Sequence, residues 1–303
     1  MKIEDDPLLR RLGSALAAAL GSVAPASPEA ATAALAALAG LDAFAYERPA
    51  TRDGFDLGVS CGIVVAEELG RAGLPDVYGA AVLLDSLAAW PGPERPALLG
   101  SMDARVSCPG HGDVSVASTG TAAALTTPDG ATGRRVLLEL GPVDAVGAHP
   151  SIAAARARHA AYLVGLTAAA LTAAIGHADR RRQFGRRLAE FQGVTLPLAR
   201  HVVEHRAARL LVGRAAHALD TAAPRGTVLA TQALALATET ALSTARTAVQ
   251  TLGALGMSDQ APTGALLLAV RRELTRFGRS TDLWAEVGAA VLRPEPAQPA
   301  QVG

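Results

Sequence analysis

Asp179-Arg-Arg-Arg-Gln-Phe-Gly-Arg-Arg-Leu-Ala-Glu-Phe-Gln192 separates two long Ala/Leu-rich segments. The stretch holds five arginines, two phenylalanines and two glutamines in a chain otherwise dominated by small apolar residues. Both flanking segments read as buried helices, which makes this stretch the link between them. Arginine presents a rigid fork to anions, so the link is a candidate meeting point with an anionic group or a second subunit. Upstream, residues 160–176 carry no charge, are mostly Ala and Gly, and include Thr167 and Thr172. That run is short for a membrane span, and it predicts a buried core helix instead.

The rest of the 303 residues share this texture: half are apolar, yet only 3% are aromatic. A core of Ala, Leu and Val lets helices approach closely and favours helix formation. The formal net charge is zero, which excludes the basic field of a nucleic-acid binder and a polybasic membrane patch. Lys2 is the only lysine, so the positive charge is nearly all arginine. Cys61 and Cys108 lie far apart in no metal-like spacing, as in a reduced cytoplasmic chain. The start, Met1-Lys-Ile-Glu-Asp-Asp6, is acidic without an apolar run and reads as no signal peptide.

In chain order, helices are expected over 7–21, 28–40, 58–72 and 76–89. Ser27-Pro28-Glu29 opens the second, 41–57 reads as loop, and Pro91, Pro93 and Pro96 end the block. Between about Ser101 and Gly147 the pattern turns to strands at 105–108, 113–118 and 135–140, with a turn at Thr127-Pro-Asp-Gly130. Helices resume over 150–177, 188–220, 226–254, 263–276 and 280–292. The expected fold is mainly α: a helical domain (1–98), a reduced β domain (99–148), an up-and-down four-helix bundle (149–293) and a loose tail (294–303).

That layout, together with Arg181-Arg182-Gln183-Phe184-Gly185 and the following Phe191-Gln192, resembles the acyl-CoA dehydrogenase family. Glu67-Glu-Leu-Gly-Arg71 is similar to a motif of the family's first domain, and Gln250-Thr-Leu-Gly253-Ala-Leu-Gly256 to its glycine motif, with Ala254 replacing a glycine. The three matches stand in the family order along the whole chain. The resemblance implies FAD as cofactor, an acyl-CoA substrate, and oligomerisation. It also implies that Arg181, Gln183, Phe184, Gln250, Gly253 and Gly256 contact the FAD of a neighbouring subunit. An arginine fork suits a pyrophosphate, and glycines let backbone amides approach an anion. For Arg181 the plainer reading is an interface salt bridge.

The chemistry implied by the resemblance needs a glutamate base near the substrate's α-proton. Gly264 stands at one usual position for it and Ala155, ahead of Arg156, at another; a third pattern falls on Asp259-Gln260. Asp259 is the candidate catalytic carboxylate, against a plain turn role beside Ser258. Thr195, Arg200 and Gly278-Arg-Ser-Thr-Asp282 also depart from the family pattern, and the β region lacks tryptophan. The expected function is therefore a base-lacking subunit that completes the FAD site of a paralogous catalytic chain, in lipid or polyketide metabolism. The alternative is an active homo-oligomer using Asp259. A remoter one is a zinc site at His201-Val-Val-Glu204-His205, whose histidines share a helix face. The remaining histidines show no metal spacing.

Overall fold

The computed structural model describes residues 6–27, 29–79, 82–83, 104–108, 112–118, 122–126, 136–139 and 150–292. Several sequence expectations lie outside them: Pro28, the end of the helix expected over 76–89, Pro91, Pro93 and Pro96, the Thr127–Gly130 turn and the tail from Arg293.

The first helical block comprises α1 (Pro7–Leu20), α2 (Ala30–Ala39) and α3 (Val59–Arg71). Asp6 caps α1, its carboxylate accepting from the N–H groups of Leu8 and Leu9. Helix α2 begins two residues later than expected: the Ser27 hydroxyl accepts from Glu29 N–H, forming a turn before the helix. Within the stretch read as loop, Ala43–Ala45 and Ala50–Arg52 form short 3-10 turns. The cap of α3 comes from afar. Gly58 enters the helix at φ +76°, and the Asp220 carboxylate accepts from Val59 N–H (2.6 Å) and Ser60 N–H (3.0 Å). Replacing Asp220 by Ala should cost roughly 1–2 kcal/mol, the upper part of the range for lost caps. Urea denaturation of the purified variant measures this.

The β region is a four-stranded antiparallel meander: β1 (Ala104–Cys108), β2 (Gly112–Ser118), β3 (Ala122–Thr126) and β4 (Val136–Glu139). Its register sets Val106 opposite Val114, Val116 opposite Leu125, and Ala124 opposite Leu137. Strand β3 was not expected, because Ala-Ala-Ala-Leu-Thr carries little β-propensity and owes its state to pairing on both sides.

The bundle is built on α4 (Pro150–Arg180), which packs against α3, α5 (Gln192–Asp220) and α6 (Gly226–Leu252). Helix α4 is long and apolar enough to cross a bilayer, but 72% of its apolar window is buried inside the protein. Its hydrophobicity is thus satisfied by neighbouring helices, as expected of a core helix. Two side-chain contacts give the helix directions. Arg156 donates to Thr231 Oγ1 (2.8 Å) near the starts of α4 and α6, while His201 bonds Thr247 (2.9 Å) near the start of α5 and the end of α6. Helices α4 and α6 therefore run parallel, with α5 antiparallel between them in sequence. After α7 (Thr263–Glu273), α8 (Ser280–Leu292) runs back along α6: Trp284 Nε1 donates to Glu239 (2.9 Å), and Arg156 pairs with Glu286 (2.8 Å).

Two features weld the first block to the bundle. At the crossing of α3 and α4, Gly70 meets Gly165: a Cβ on Gly165 would lie 2.1 Å from the Glu67 carbonyl oxygen, and one on Gly70 2.1 Å from that of Tyr162. Ion pairs also cross the same boundary, with the acid in the first block and the arginine in the bundle. Among them are Glu47–Arg158 (2.6 Å), Glu67–Arg209 (2.8 Å) and Asp76–Arg276 (2.9 Å). Burial pushes the Glu47 carboxyl above its ordinary value of 4.5, against the pull of Arg158 and Tyr78. Burial alone would also raise Asp76, but the His159 ring, Arg276 and the Gly79 N–H hold it below its ordinary 3.8. The His159 nitrogen stands 3.7 Å from Asp76, beyond hydrogen-bond length, so the 2.9 Å Arg276 contact is the structural anchor.

Candidate functional site

The Asp179–Gln192 link folds as a β-hairpin projecting from the end of α4. Strands β5 (Arg182–Gln183) and β6 (Arg186–Arg187) pair antiparallel around Phe184-Gly185. Both turn residues have positive φ, +52° and +81°, the conformation that matches strand twist in a two-residue hairpin loop. Glycine adopts it freely; phenylalanine does so at a cost, so the turn keeps an aromatic ring where Asn or Gly would fit more easily. Phe184 is 93% exposed, and its ring meets Phe191 edge-on at 6.4 Å.

Side-chain contacts brace the hairpin base. Arg187 pairs with Asp179 (2.8 Å) and Glu190 (2.9 Å), and Arg186 lies over the Phe191 ring at 3.9 Å. These contacts hold the Glu190 carboxyl below its usual range, first through the hydrogen bond from Arg187. Arg187 and Arg186 are therefore scaffold residues, which sequence spacing alone did not distinguish from anion ligands. Arg181 and Arg182 are exposed and have no side-chain hydrogen bond or ion pair among the described residues. An internal salt bridge for Arg181 is absent from this set. Gln183 is exposed beside them.

The glycine motif lies at the same end of the bundle, because α4 and α6 run parallel. Gln250 is exposed on the last turn of α6, and Gly253 ends it at φ +63° with open space where a Cβ would be. The following 3-10 turn, Gly253–Met257, buries Gly256, where a Cβ would lie 2.7 Å from the Val249 carbonyl oxygen. Gly253 thus serves an outward surface, and Gly256 serves packing. Five of the six residues, Arg181, Gln183 and Phe184 on the hairpin and Gln250 and Gly253 at the end of α6, form two outward-facing patches at one end, with a cation, two amides, an aromatic ring and a bare backbone turn. That donor set fits the pyrophosphate and ring faces of a dinucleotide that approaches from outside the chain.

The candidate positions for a base are placed differently. Ala155 is buried in α4, and neighbouring Arg156 is committed to Thr231 and Glu286. Gly264 begins α7 against the Gly256 carbonyl oxygen, 3.1 Å from where its Cβ would stand. Asp259 is exposed in the turn before α7, where Ser258 Oγ accepts from Gln260 N–H.

His201 and Glu204 border an open groove of about 690 Å³ between α5 and α6, together with Leu196, Pro197 and Leu236. Both His201 ring nitrogens are engaged, one by Glu204 and one by Thr247, each at 2.9 Å. Burial lowers His205 from its ordinary value. Among the described residues, no three His, Cys, Asp or Glu side chains converge as a metal set would.

Glu67-Glu-Leu-Gly-Arg71 also becomes clear. Glu67 binds Arg71 (2.6 Å) and Arg209, and Gly70 supplies the helix crossing, so this motif ties α3 to the bundle. Burial pushes the Cys61 thiol up to about 11, which leaves it inert as a nucleophile.

Residues 148–291 match the model of the acyl-CoA dehydrogenase C-terminal domain. Among curated proteins, cyclohex-1-ene-1-carbonyl-CoA dehydrogenase from Syntrophus aciditrophicus is 35% identical over 97 residues, 32% of this chain and 23% of that protein. The chain spans about a quarter to a third of the length of the curated relatives it matches. Solved structures share the fold over nearly the whole chain. The ChsE4-ChsE5 complex from Mycobacterium tuberculosis has a TM-score of 0.74 at 20% identity, covering 98% of this chain and 100% of that one. PigA with FAD and proline has a TM-score of 0.69 at 16% identity, covering 96% and 99%.

Proposed function

Because the chain belongs to the acyl-CoA dehydrogenase family, we propose that it is the base-lacking subunit of a two-chain flavoenzyme. Its partner is a paralogous chain that holds most of the FAD and supplies the glutamate, for α,β-dehydrogenation of an acyl-CoA thioester. One observation carries this reading. The flavin signature is kept and turned outward, with Phe184 93% exposed, while Gly264 and Ala155 occupy the usual base positions.

In this arrangement Arg181 and Arg182 neutralise the pyrophosphate, and Gln183 and the Phe184 ring border the cofactor. The turn at Gly253 brings backbone close to it. FAD, when bound, supplies the hydride acceptor; this chain contributes cofactor binding and the exclusion of water. The two-chain ChsE4-ChsE5 complex and the FAD-bound PigA structure, which share the fold, support the reading by analogy only.

Absorbance near the flavin bands tests it, on the chain alone and after co-expression with a family paralogue. The expected result is a colourless chain alone and a flavin-bearing heteromer. Arg181→Ala in the heteromer should lower FAD affinity by about tenfold or more, the loss expected for one charge-assisted contact. Stoichiometric flavin on this chain alone, bleached by an acyl-CoA and silenced by Asp259→Asn, would overturn the proposal in favour of an active homo-oligomer.

A further inference from the structure

His159, 1% exposed on α4, lies where the first block, α4 and the end of α7 meet, and its hydrogen bonding is incomplete. Its Nε2 stands 3.0 Å from the Glu273 carbonyl oxygen, which can only accept, so Nε2 carries a proton. In the neutral ring Nδ1 is then a bare acceptor. That atom is buried without a hydrogen-bond partner among the described residues and faces Asp76 Oδ2, another acceptor, at 3.7 Å. The Tyr162 hydroxyl does not relieve it: this residue stacks on the ring and donates to the Leu74 carbonyl oxygen (2.8 Å). Phe277 meets the ring edge-on at 5.3 Å.

The charges around the ring are equally out of balance. Asp76 follows α3, Glu273 ends α7, and Arg276 lies just beyond it. Arg276 serves both acids, at 2.9 Å from Asp76 and 3.2 Å from Glu273 Oε2. Glu273 Oε2 nevertheless has no hydrogen-bond partner among the described residues. Burial pushes the Tyr162 hydroxyl well above its ordinary 10.0, so it stays neutral, and Arg272, which also acts on it, is exposed. Two carboxylates thus share one buried guanidinium, leaving a net negative charge that burial makes costly. A second proton on His159 removes both faults. It supplies the missing cation and turns Nδ1 into a donor, less than about 1 Å beyond hydrogen-bond length from Asp76.

What the ring holds is α7. Glu273 is the last residue of that helix, which is 11 residues long, or about 16 Å. At its other end Thr263 Oγ1 donates to the Gly256 carbonyl oxygen (3.1 Å), and Gly264 packs against the same atom. Helix α7 is thus a short rod between the buried cluster and the Gly253–Met257 turn. We infer that His159 is a proton-operated latch: doubly protonated, it binds Asp76, seats α7 and so holds the Gly253–Met257 turn in its outward-facing form. Loss of that proton leaves a buried negative charge that loosens α7 and the turn. The latch rests on this chain's own contacts; its effect on FAD rests on the two-chain reading above.

Hydrogen exchange on the chain alone tests this at about pH 5.5 and about pH 8, on either side of the ordinary histidine range. Protection factors, which correct for the intrinsic pH dependence of exchange, should fall about tenfold across α7 and Gly253–Met257 at the higher pH, with α1 unaltered. NMR shifts of the His159 ring nitrogens should report the imidazolium at the lower pH and the Nε2–H form at the higher. His159→Phe, a ring that takes no proton, should leave the segment loose at both values. Glu273→Gln removes the excess acid and should leave it protected at both. A His159 ring that keeps one form across this range, wild-type protection independent of pH, or a pH effect that survives either substitution overturns the inference. In the flavin-bearing heteromer FAD should bind less tightly at the higher pH, and Glu273→Gln should remove the difference. Latch behaviour in the chain alone, without flavin on co-expression, supports the inference and sinks the two-chain reading. A flavin-bearing heteromer with the same pH dependence in Glu273→Gln as in wild type does the reverse.

Discussion

Gly165→Ala should destabilise the protein by about 3 kcal/mol, the upper end of the usual cost of overpacking a core. The added methyl would sit 2.1 Å from a carbonyl oxygen and 2.7 Å from the Arg71 nitrogen, both backbone atoms. No rotamer change moves backbone, so α3 and α4 must separate along their crossing, loosening Leu69, Leu163 and Leu166, all fully buried. Gly193→Ala on α5 is the control. A Cβ there meets nothing within 4 Å, and exchanging helical glycine for alanine usually stabilises by about 0.5–1 kcal/mol. Denaturant unfolding of the two variants should move in opposite directions. Equal stabilities would mean that the helices do not cross at these glycines.

The second large effect concerns charge. Arg276→Met should cost about 3–5 kcal/mol, because it strands a buried carboxylate without its cation. Asp76 is 6% exposed, so solvent does little to relieve it. The pH dependence should change sign as well. In the wild type the Asp76 carboxyl lies below its ordinary 3.8, so its contribution is present above that value and is lost as pH falls through the lowered one. Without Arg276 the burial penalty dominates and the carboxyl rises above 3.8. Its contribution is then fully present below 3.8 and lost as pH rises through the raised value. Unfolding free energies measured from about pH 3 to 7 should show this reversed slope in the variant. An unchanged slope would show that His159 and the Gly79 N–H suffice to hold the charge.

Helix-level organisation was legible because Ala/Leu runs broken by glycine, proline and charge leave few alternatives. Helices α6 and α8 start where the sequence placed them, and α1, α3 and α4 end within three residues of expectation. Helix α5 was expected from 188, but 188–190 is a 3-10 turn and Phe191 is extended. The hairpin was read only as a break, since Arg-Gln and Arg-Arg carry no strand pattern and pairing alone defines them. At the site, the signature residues could be named, but not their division of labour. That Arg187 braces Glu190 while Arg181 stays open depends on the turn geometry of Phe184-Gly185, which no local propensity encodes. Buried acids such as Glu47 were invisible for a similar reason: their partners lie over a hundred residues away.

The sorting of acids to the first block and arginines to the bundle has a consequence for biosynthesis. Glu47, Glu67 and Asp76 leave the ribosome early, whereas their cations follow at 158, 209 and 276. Until each arginine emerges, closing the first block would bury a naked carboxylate, so the nascent N-terminal segment is held open by its own charges. Arg276 comes last of the three. Docking of Asp76 should therefore wait for it, and a ribosome stalled before residue 276 should carry a segment still sensitive to protease.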